Sequence, residues 1–273
     1  MGGAYAALST DASGVFWNPG ALSQAPGTQL IAMHGAYLQG LNYEFLSVSK
    51  ERITGQSTGG FGLFFLNAGG IPITHLQDTT LPPGDDNLPV LEGTTSYRAF
   101  QSLFALAWPG GLGFTLKALF QQADTVSGYG VGLDIGYFKN ISSSLQVGVN
   151  IKDITTTPLF WSTGTHEFIY PQVDMGMAVR PGNWLVMSGD AVARFDSRPE
   201  RSEAFVMGFF SIEPRFGAEL LMGPARFRAG IQSGVATVGA GFYTSKLSAD
   251  YALLSHPDLG AAHRFSLCIR FGM

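Results

Sequence analysis

Six stretches of the chain place apolar residues at every second position. Leu112, Phe114, Leu116, Ala118 and Phe120 alternate with Gly113, Thr115, Lys117 and Gln121. Tyr129, Val131, Leu133, Ile135 and Tyr137 alternate with Gly130, Gly132, Asp134 and Gly136. The same holds for Leu145–Ile151 against Gln146, Gly148, Asn150 and Lys152, and for Val173–Val179 against Gln172, Asp174, Gly176 and Arg180. Phe227, Ala229 and Ile231 face away from Arg226, Arg228 and Gln232, and Phe265, Leu267, Ile269 and Phe271 oppose Arg264, Ser266, Cys268 and Arg270. A period of two is that of an extended strand with one apolar face. In a soluble sandwich the other face meets water and carries Lys and Glu. Here it is glycine with scattered charge, and only 13% of all residues are charged, against about 25% in soluble domains. No apolar run reaches the roughly 18 residues of a membrane-crossing helix. A Gly-rich soluble β protein and a transmembrane β-barrel, whose apolar residues are spread over alternate positions, remain.

The connections separate these two. Alternate ones are tight: Pro109-Gly110-Gly111, Lys139-Asn140, Pro181-Gly182-Asn183, Gly223-Pro224 and Ser245-Lys246. The intervening ones are mostly longer, at 68–94, 154–168, 196–202 and 255–262. Short turns on one rim and long loops on the other mark an outer-membrane barrel. Strands are expected near 28–38, 42–52, 58–67, 95–108, 111–123, 127–138, 143–152, 170–180, 184–195, 203–222, 225–233, 235–244, 247–254 and 263–272. The fold class is therefore an all-β, antiparallel up-and-down transmembrane barrel of about 14 strands. The stretch 203–222 is read as one strand bent at Pro214, since proline is tolerated at bulges and edges. The stretch 95–108 alternates poorly, and its register is open.

A barrel of this size is too wide for side chains alone to fill. Residues 1–27 stand apart from the strands (28–273) and are expected to plug the lumen. They are rich in Ala and Gly, with one acid, Asp11, and end in Trp17-Asn18-Pro19-Gly20. Pro19 favours an extended Asn18, and Gly20 permits a tight turn. A short helix or coil is expected over 3–8, followed by a sharp bend. The charges that alternation turns inward are Lys117, Asp134, Lys152, Asp174, Asp190, Glu219, Arg226, Arg228, Asp250, Arg264 and Arg270. In a low-dielectric lumen they must pair, bridging neighbouring strands or holding the plug.

Several segments carry a family resemblance. Met1–Leu22 resembles the opening motif of the PorV/PorQ outer-membrane proteins, relatives of the FadL-type transporters. Ser9-Thr10-Asp11 stands where that family has an acidic pair, and Asn18-Pro19-Gly20-Ala21-Leu22 reorders its small residues. Gly217-Ala218-Glu219, Arg228-Ala229-Gly230 and Asp250-Tyr251-Ala252-Leu253 are similar to an internal run of the family, and Asp258-Leu259-Gly260 with His263–Leu267 to its ending. Phe271 stands near the end of the last strand, as in the segment that barrel-assembly machinery reads, although Gly272-Met273 follow it. Met1 aligns inside the family motif, so residues N-terminal to it are expected. The resemblance implies a bacterial outer-membrane location and the plug motif Asp11, Trp17, Asn18, Pro19 and Gly20.

Other motifs carry no chemistry. Gly55-Gln56-Ser57-Thr58-Gly59 matches a nucleophile elbow, but a strand follows where the elbow requires a helix, so it reads as a turn. Gly128, Gly130 and Gly132 have the wrong spacing for a dinucleotide loop and read as a lumen-facing row of small residues that admits the plug. His34 is placed on a strand, His75, His166 and His256 in loops, and His263 at the start of the last strand, without metal-ligand spacing. One cysteine, Cys268, excludes an internal disulfide. Trp108 and Trp184, beside tight turns, suit an interfacial girdle. Neither an enzyme nor a cofactor is expected, and the net charge of −4 argues against nucleic acid as a partner.

Outer-membrane lipid is the expected surround. The PorV/PorQ resemblance implies an interaction protein associated with type IX secretion, receiving the C-terminal domains of secreted proteins or binding secretion-complex proteins. The loop 68–94, with four prolines and Asp78, Asp85, Asp86 and Glu92, is then the candidate outer face, together with 154–168. FadL kinship implies the alternative, a channel for hydrophobic small molecules beside a plug.

Overall fold

The computed structural model describes residues 1–37, 40–196, 205–208, 210–256 and 260–272. The expected connection 196–202 and the Asp258-Leu259 part of the family ending lie wholly or mostly outside them. From the N-terminal segment the chain enters β1 (Thr28–Ala36), β2 (Leu41–Thr54), β3 (Ser57–Leu76), β4 (Pro89–Ala107), β5 (Leu112–Ala123), β6 (Val126–Asn140) and β7 (Leu145–Lys152). A small hairpin, β8 (Thr157–Trp161) and β9 (His166–Ile169), precedes β10 (Gln172–Gly182) and β11 (Leu185–Arg194). Then come β12 (Phe205–Met207), β13 (Phe210–Met222), β14 (Ala225–Gln232), β15 (Val235–Tyr243), β16 (Leu247–His256) and β17 (Gly260–Phe271).

Fourteen of these strands close a ring in which every neighbour is antiparallel, so the chain forms a 14-strand barrel. Closure is made by β1, which pairs with β17 from Thr28↔Phe271 to Ala36↔His263 and with β2 on its other side. A closed ring leaves no unpaired edge, the condition for sheet to cross hydrocarbon. Outside the ring, β8 pairs with Gly128–Gly130 of β6, above the stretch that β7 covers. Likewise β12 pairs with Phe210–Ile212 of β13, above the stretch that β14 covers.

The outward face is apolar. Phe104, Leu116, Val131, Met177, Phe227 and Phe265 stand exposed on it. On a soluble protein so continuous an apolar surface would drive association; around a barrel it is the band that faces lipid. Trp108 and Trp184 are exposed beside the tight turns at one end, the place of an interfacial aromatic.

Three sequence expectations change. The stretch 68–94 is mostly strand. β3 continues to Leu76 and β4 begins at Pro89, with register shifts at Ala68/Ile71 and Ile73/Thr74. Gly69-Gly70 and Pro72 read as loop residues, but an irregular ladder absorbs them as bulges. The stretch 154–168 likewise folds into the β8–β9 hairpin, so His75 and His166 lie on strands, and β16 extends to His256. The stretch 203–222 is not one bent strand: Gly208, with φ +64°, turns the chain between β12 and β13. Among the described residues neither β12 nor β14 pairs with Glu213 or Pro214, so proline's missing donor falls where one flank is open. In keeping with the expected strand bounds 111–123 and 127–138, and 225–233 and 235–244, the rim of long connections also holds two tight turns. Asp124 (φ +54°) follows β5, and Ser233-Gly234 (φ +49° and +73°) joins β14 to β15, both central residues having the positive φ of a type I′ hairpin turn.

Candidate functional site

Residues 1–27 lie against the inner face of the barrel and are held there along their length. No helix forms over 3–8; turns closed by Ala4 N–H to Met1 O and Leu8 N–H to Tyr5 O occupy it instead. The helical turn is α1 (Gly14–Trp17), followed by a 3-10 turn over Ala21–Gln24. Asp11 opens α1: its Oδ1 accepts from the Ser13 amide at 2.9 Å and from the Ser13 hydroxyl, while Tyr5 Oη donates to Oδ2 at 3.4 Å. Pro19 forbids continuation, and Asn18 is extended at φ −162°, ψ 101°.

Asn18 is fully buried and satisfies three backbone groups. Its Nδ2 donates to Ala6 O at 2.8 Å and to Tyr137 O at 3.1 Å, and its Oδ1 accepts from the Gly20 amide at 3.0 Å. Two of these bonds close the segment on itself and one ties it to β6. Trp17 packs edge-on against Tyr5 and Phe16, each at 5.6 Å, beneath the Lys152 ammonium at 5.6 Å. Gly20 has an ordinary φ of −63°, so it is not there for conformational freedom. It is there for space: a Cβ would stand 2.3 Å from Gly111 O. The wall reciprocates at Gly136, where a Cβ would meet Asn18 Oδ1 at 2.2 Å, and at Gly148, where it would meet Ala6 O at 2.1 Å. Gly128, Gly130 and Gly132 do not receive the segment. Trp161, Pro158 and Thr157 of β8 lie over them instead.

The wall presents two kinds of inner surface. Along β1–β4, with Cys268 of β17, it is apolar: Ala12, Val15, Leu22 and Ala25 of the segment form one cluster with Ile31, Phe45, Leu103, Ala105, Ala107 and Cys268. Phe16 extends this cluster by stacking on Phe64 at 5.8 Å. That explains why β4 does not alternate, since both of its faces are apolar. Cys268 is a buried member of this seat.

From β5 onward the inner face is a lattice of ions. Lys117 Nζ stands 2.7 Å from Asp134 and 2.7 Å from Asp153, and the Asp153 amide donates to Asp134 at 2.8 Å. Lys152 pairs with Asp174 at 3.1 Å. Among the described residues Asp190 bonds no cation; it accepts the amides of Tyr5 and Ala6 at 2.8 and 2.9 Å. Glu213 takes Arg194 at 2.6 Å and Arg215 at 2.8 Å. Arg228 joins Glu219, Asp250 and Tyr243 Oη, the last at 2.7 Å. The Arg226, Arg228 and Arg270 guanidiniums stand 5.4, 5.5 and 5.9 Å from the Tyr243 ring. Arg264 donates to Tyr37 Oη and lies over the Tyr37 and Tyr43 rings at 5.5 and 5.8 Å.

Sequence reasoning missed Asp153, Arg194, Glu213 and Arg215, and the anchors Thr115, Asn150 and Ser188, which donate to Val15 O, Trp17 O and Ala4 O. Glu213, Arg215, Gly217 and Glu219 share one phase of alternation, and following it through Pro214 would have found the first two. Asp153 lies beyond β7 at φ +52°, where alternation says nothing. Among the described residues, no three His, Cys, Asp or Glu side chains converge as metal ligands.

Among the described residues a cavity of about 150 Å³ lies on the side of β14–β17, bounded by Met1, Gly2, Gly3, Arg228, Asp250 and Arg264. No protein-family model matches the chain, and no curated protein matches it by sequence. Solved structures do. The CymD monoaromatic hydrocarbon channel superposes with a TM-score of 0.69 at 13% identity, over 98% of this chain and 95% of that one. The toluene transporter TodX of Pseudomonas putida gives 0.61 at 10% identity, over 98% and 96%. A FadL homologue of Pseudomonas aeruginosa gives 0.58 at 10% identity, over 97% and 95%. At these identities the likeness is one of fold. The chain has the fold of an outer-membrane β-barrel, and two of these neighbours, CymD and TodX, are described as a monoaromatic hydrocarbon channel and a toluene transporter.

Proposed function

We propose that this barrel is a channel for small hydrophobic molecules across the outer membrane, with residues 1–27 as its plug. The observation that carries the reading is a lumen occupied by the chain's own N-terminal segment, which sits on an apolar patch of the wall. An open pore for hydrated solutes needs a continuous water path, which the apolar seat of Val15, Leu22 and Leu103 denies on one side. The full-length likeness to CymD, described as a monoaromatic hydrocarbon channel, and to the toluene transporter TodX supports this reading. In this scheme Asp11, Trp17, Asn18, Pro19 and Gly20 fold the plug, and the lumen charges hold it or line the path beside it. Outer-membrane vesicles carrying the chain are expected to take up toluene faster than vesicles without it, and equal rates would refute the proposal.

A second reading keeps the role implied by the PorV/PorQ resemblance, a receptor or shuttle for secreted proteins. It rests on the motifs in Met1–Leu22 and His263–Leu267 and on the tall β3–β4 hairpin. The tip of that hairpin is ordered by Asn87, which donates to Asp78 O and Leu81 O at 2.8 and 3.0 Å. The fold neighbours support the channel more than this role. Recovery of a secreted protein with the chain from native membranes would reverse the preference.

A further inference from the structure

The apolar band on the outside of the barrel is broken at β1 and β2. Strand register carries one row of facing residues from β17 through β1 to β5: Phe265, His34, Glu44, Phe65, Phe100 and Phe120. All six are exposed. The phenylalanines flank the imidazole and the carboxylate on both sides, which places these two polar groups inside the band that faces lipid. On β5 and β6 the outward positions are apolar without a break, from Leu112 to Phe120 and from Tyr129 to Tyr137. On β1 only Leu30 and Ala32 lie between the start of the strand and His34, and on β2 only Val48 and Leu46 separate Lys50 from Glu44. His34 Nδ1 stands 2.6 Å from Glu44 Oε1. Beside this pair, on β16 and β17, Tyr251 Oη stands 2.8 Å from His263 Nδ1. Among the described residues, His34 Nε2 and Glu44 Oε2 have no hydrogen-bond partner. Hydrocarbon offers them none, so polar groups open toward lipid are costly.

We propose that the outer face of β17, β1 and β2 is covered by a second copy of this chain, in a two-fold dimer centred on His34 and Glu44. A two-fold interface sets one patch against itself, so that each residue meets its counterpart's partner twice. This patch is complementary to itself: donor and acceptor stand side by side. Rotation about an axis between them brings the free nitrogen of His34 in each copy to the free carboxylate oxygen of Glu44 in the other. Charge-assisted hydrogen bonds of this kind are among the stronger ones. Leu46 and Leu267 are exposed around the pair, and Ala32 beside it is small enough to allow close approach. The other candidate occupants fit less well. A lipid phosphate would be repelled by Glu44, and an acyl chain would leave both polar groups unmatched. The dimer does not depend on what the lumen carries.

Photo-crosslinking in outer-membrane vesicles tests this. Ala32→Cys, labelled with benzophenone maleimide and irradiated, is expected to give a product of twice the chain's mass. Met177→Cys, exposed on β10 half-way round the ring, is not. The native Cys268 is buried, so the unsubstituted chain serves as the blank. A crosslink to a protein of another mass makes the occupant a different protein, and the absence of any protein product makes it lipid; either result overturns the second copy. Equal dimer product from Met177→Cys also overturns it, since chance collision then explains both. Light scattering of the wild-type chain in detergent is expected to show two copies per particle, and one copy overturns the proposal without any variant. Glu44→Leu is expected to weaken dimerisation about tenfold, as charged hydrogen bonds are lost, with heat-modifiable gel mobility reporting that the barrel is folded. A folded Glu44→Leu chain that dimerises as tightly as wild type overturns the pairing of His34 with Glu44.

Discussion

The seat on β1–β4 and the lattice from β5 to β16 hold residues 1–27, the proposed plug, by different physics. The seat contacts it through side-chain volume: Val15 and Leu22 against Leu103, Phe45 and Ala105. Such contacts are non-directional and lose strength gradually as groups are removed. The lattice contacts it through single hydrogen bonds at fixed points, Asp190 to two amides and Asn150, Thr115 and Ser188 to three carbonyls. These are directional, and each is costly to leave unmade. The lattice also ties strand to strand, which the seat does not. A plug can therefore leave the lattice by exchanging a few bonds for water, whereas leaving the seat exposes apolar surface on both sides.

The sharpest way to break this contrast is to damage the wall without touching the plug. Lys117→Met leaves Asp134 and Asp153 buried side by side with no cation. Removing one partner of a buried pair costs about 3–5 kcal/mol. The barrel is expected to unfold at clearly lower urea, read by heat-modifiable gel mobility. Unchanged stability would mean that the lattice does not brace the wall.

Leu103→Ala attacks the seat. Leu103 is fully buried beneath Val15 and beside Gly62, and such truncations cost about 2–5 kcal/mol. Because the lost contacts join plug to wall, the cost is expected to appear as plug release, with residues 1–27 becoming sensitive to protease while the barrel stays folded. Protease resistance equal to wild type would show that the seat is dispensable.

Much of this contrast was legible in the residues. Where lumen and lipid differ in polarity, as along β5, β6, β7, β10 and β17, alternation gives strand, face and phase together. It fails on β4 because Leu103, Ala105 and Ala107 meet an apolar plug instead of water, so the two faces carry the same kind of residue. It fails again at Asp153, where the pairing partner is set by a chain reversal and not by strand phase. Gly136 and Gly148 read only as small residues, and the need for them arises from the approach of Asn18 and Ala6, which no local pattern encodes.

Asp190→Ala sharpens the comparison at a single anchor. It removes the shared acceptor of the Tyr5 and Ala6 amides, and two buried donors without a partner cost about 1–3 kcal/mol each. Amide exchange at Tyr5 and Ala6 is expected to accelerate while exchange at Val15 and Leu22 does not. A uniform acceleration along the segment would mean that the plug moves as one body and that seat and lattice are not separable.

The smallest effect is one of pH and falls on Asp11, which lies in the plug between the two regions. Burial is the largest influence on its carboxyl and raises its pKa above the ordinary value of 3.8, against the opposing hydrogen bonds from Ser13 and the charge of Arg270. A carboxyl whose pKa is higher when seated binds its proton more tightly there than in the released segment. Seating is then favoured fully below the ordinary carboxylate pKa, and that advantage declines as pH rises through the raised value. Protease sensitivity of residues 1–27 is therefore expected to increase modestly from acid toward neutral pH. Asp11→Asn keeps an acceptor for the Ser13 amide but cannot ionise, so its profile should be flat over the same range. A wild-type profile that is already flat would place the proton elsewhere, and one that falls with pH would mean that the bonds from Ser13 and the charge of Arg270 outweigh burial.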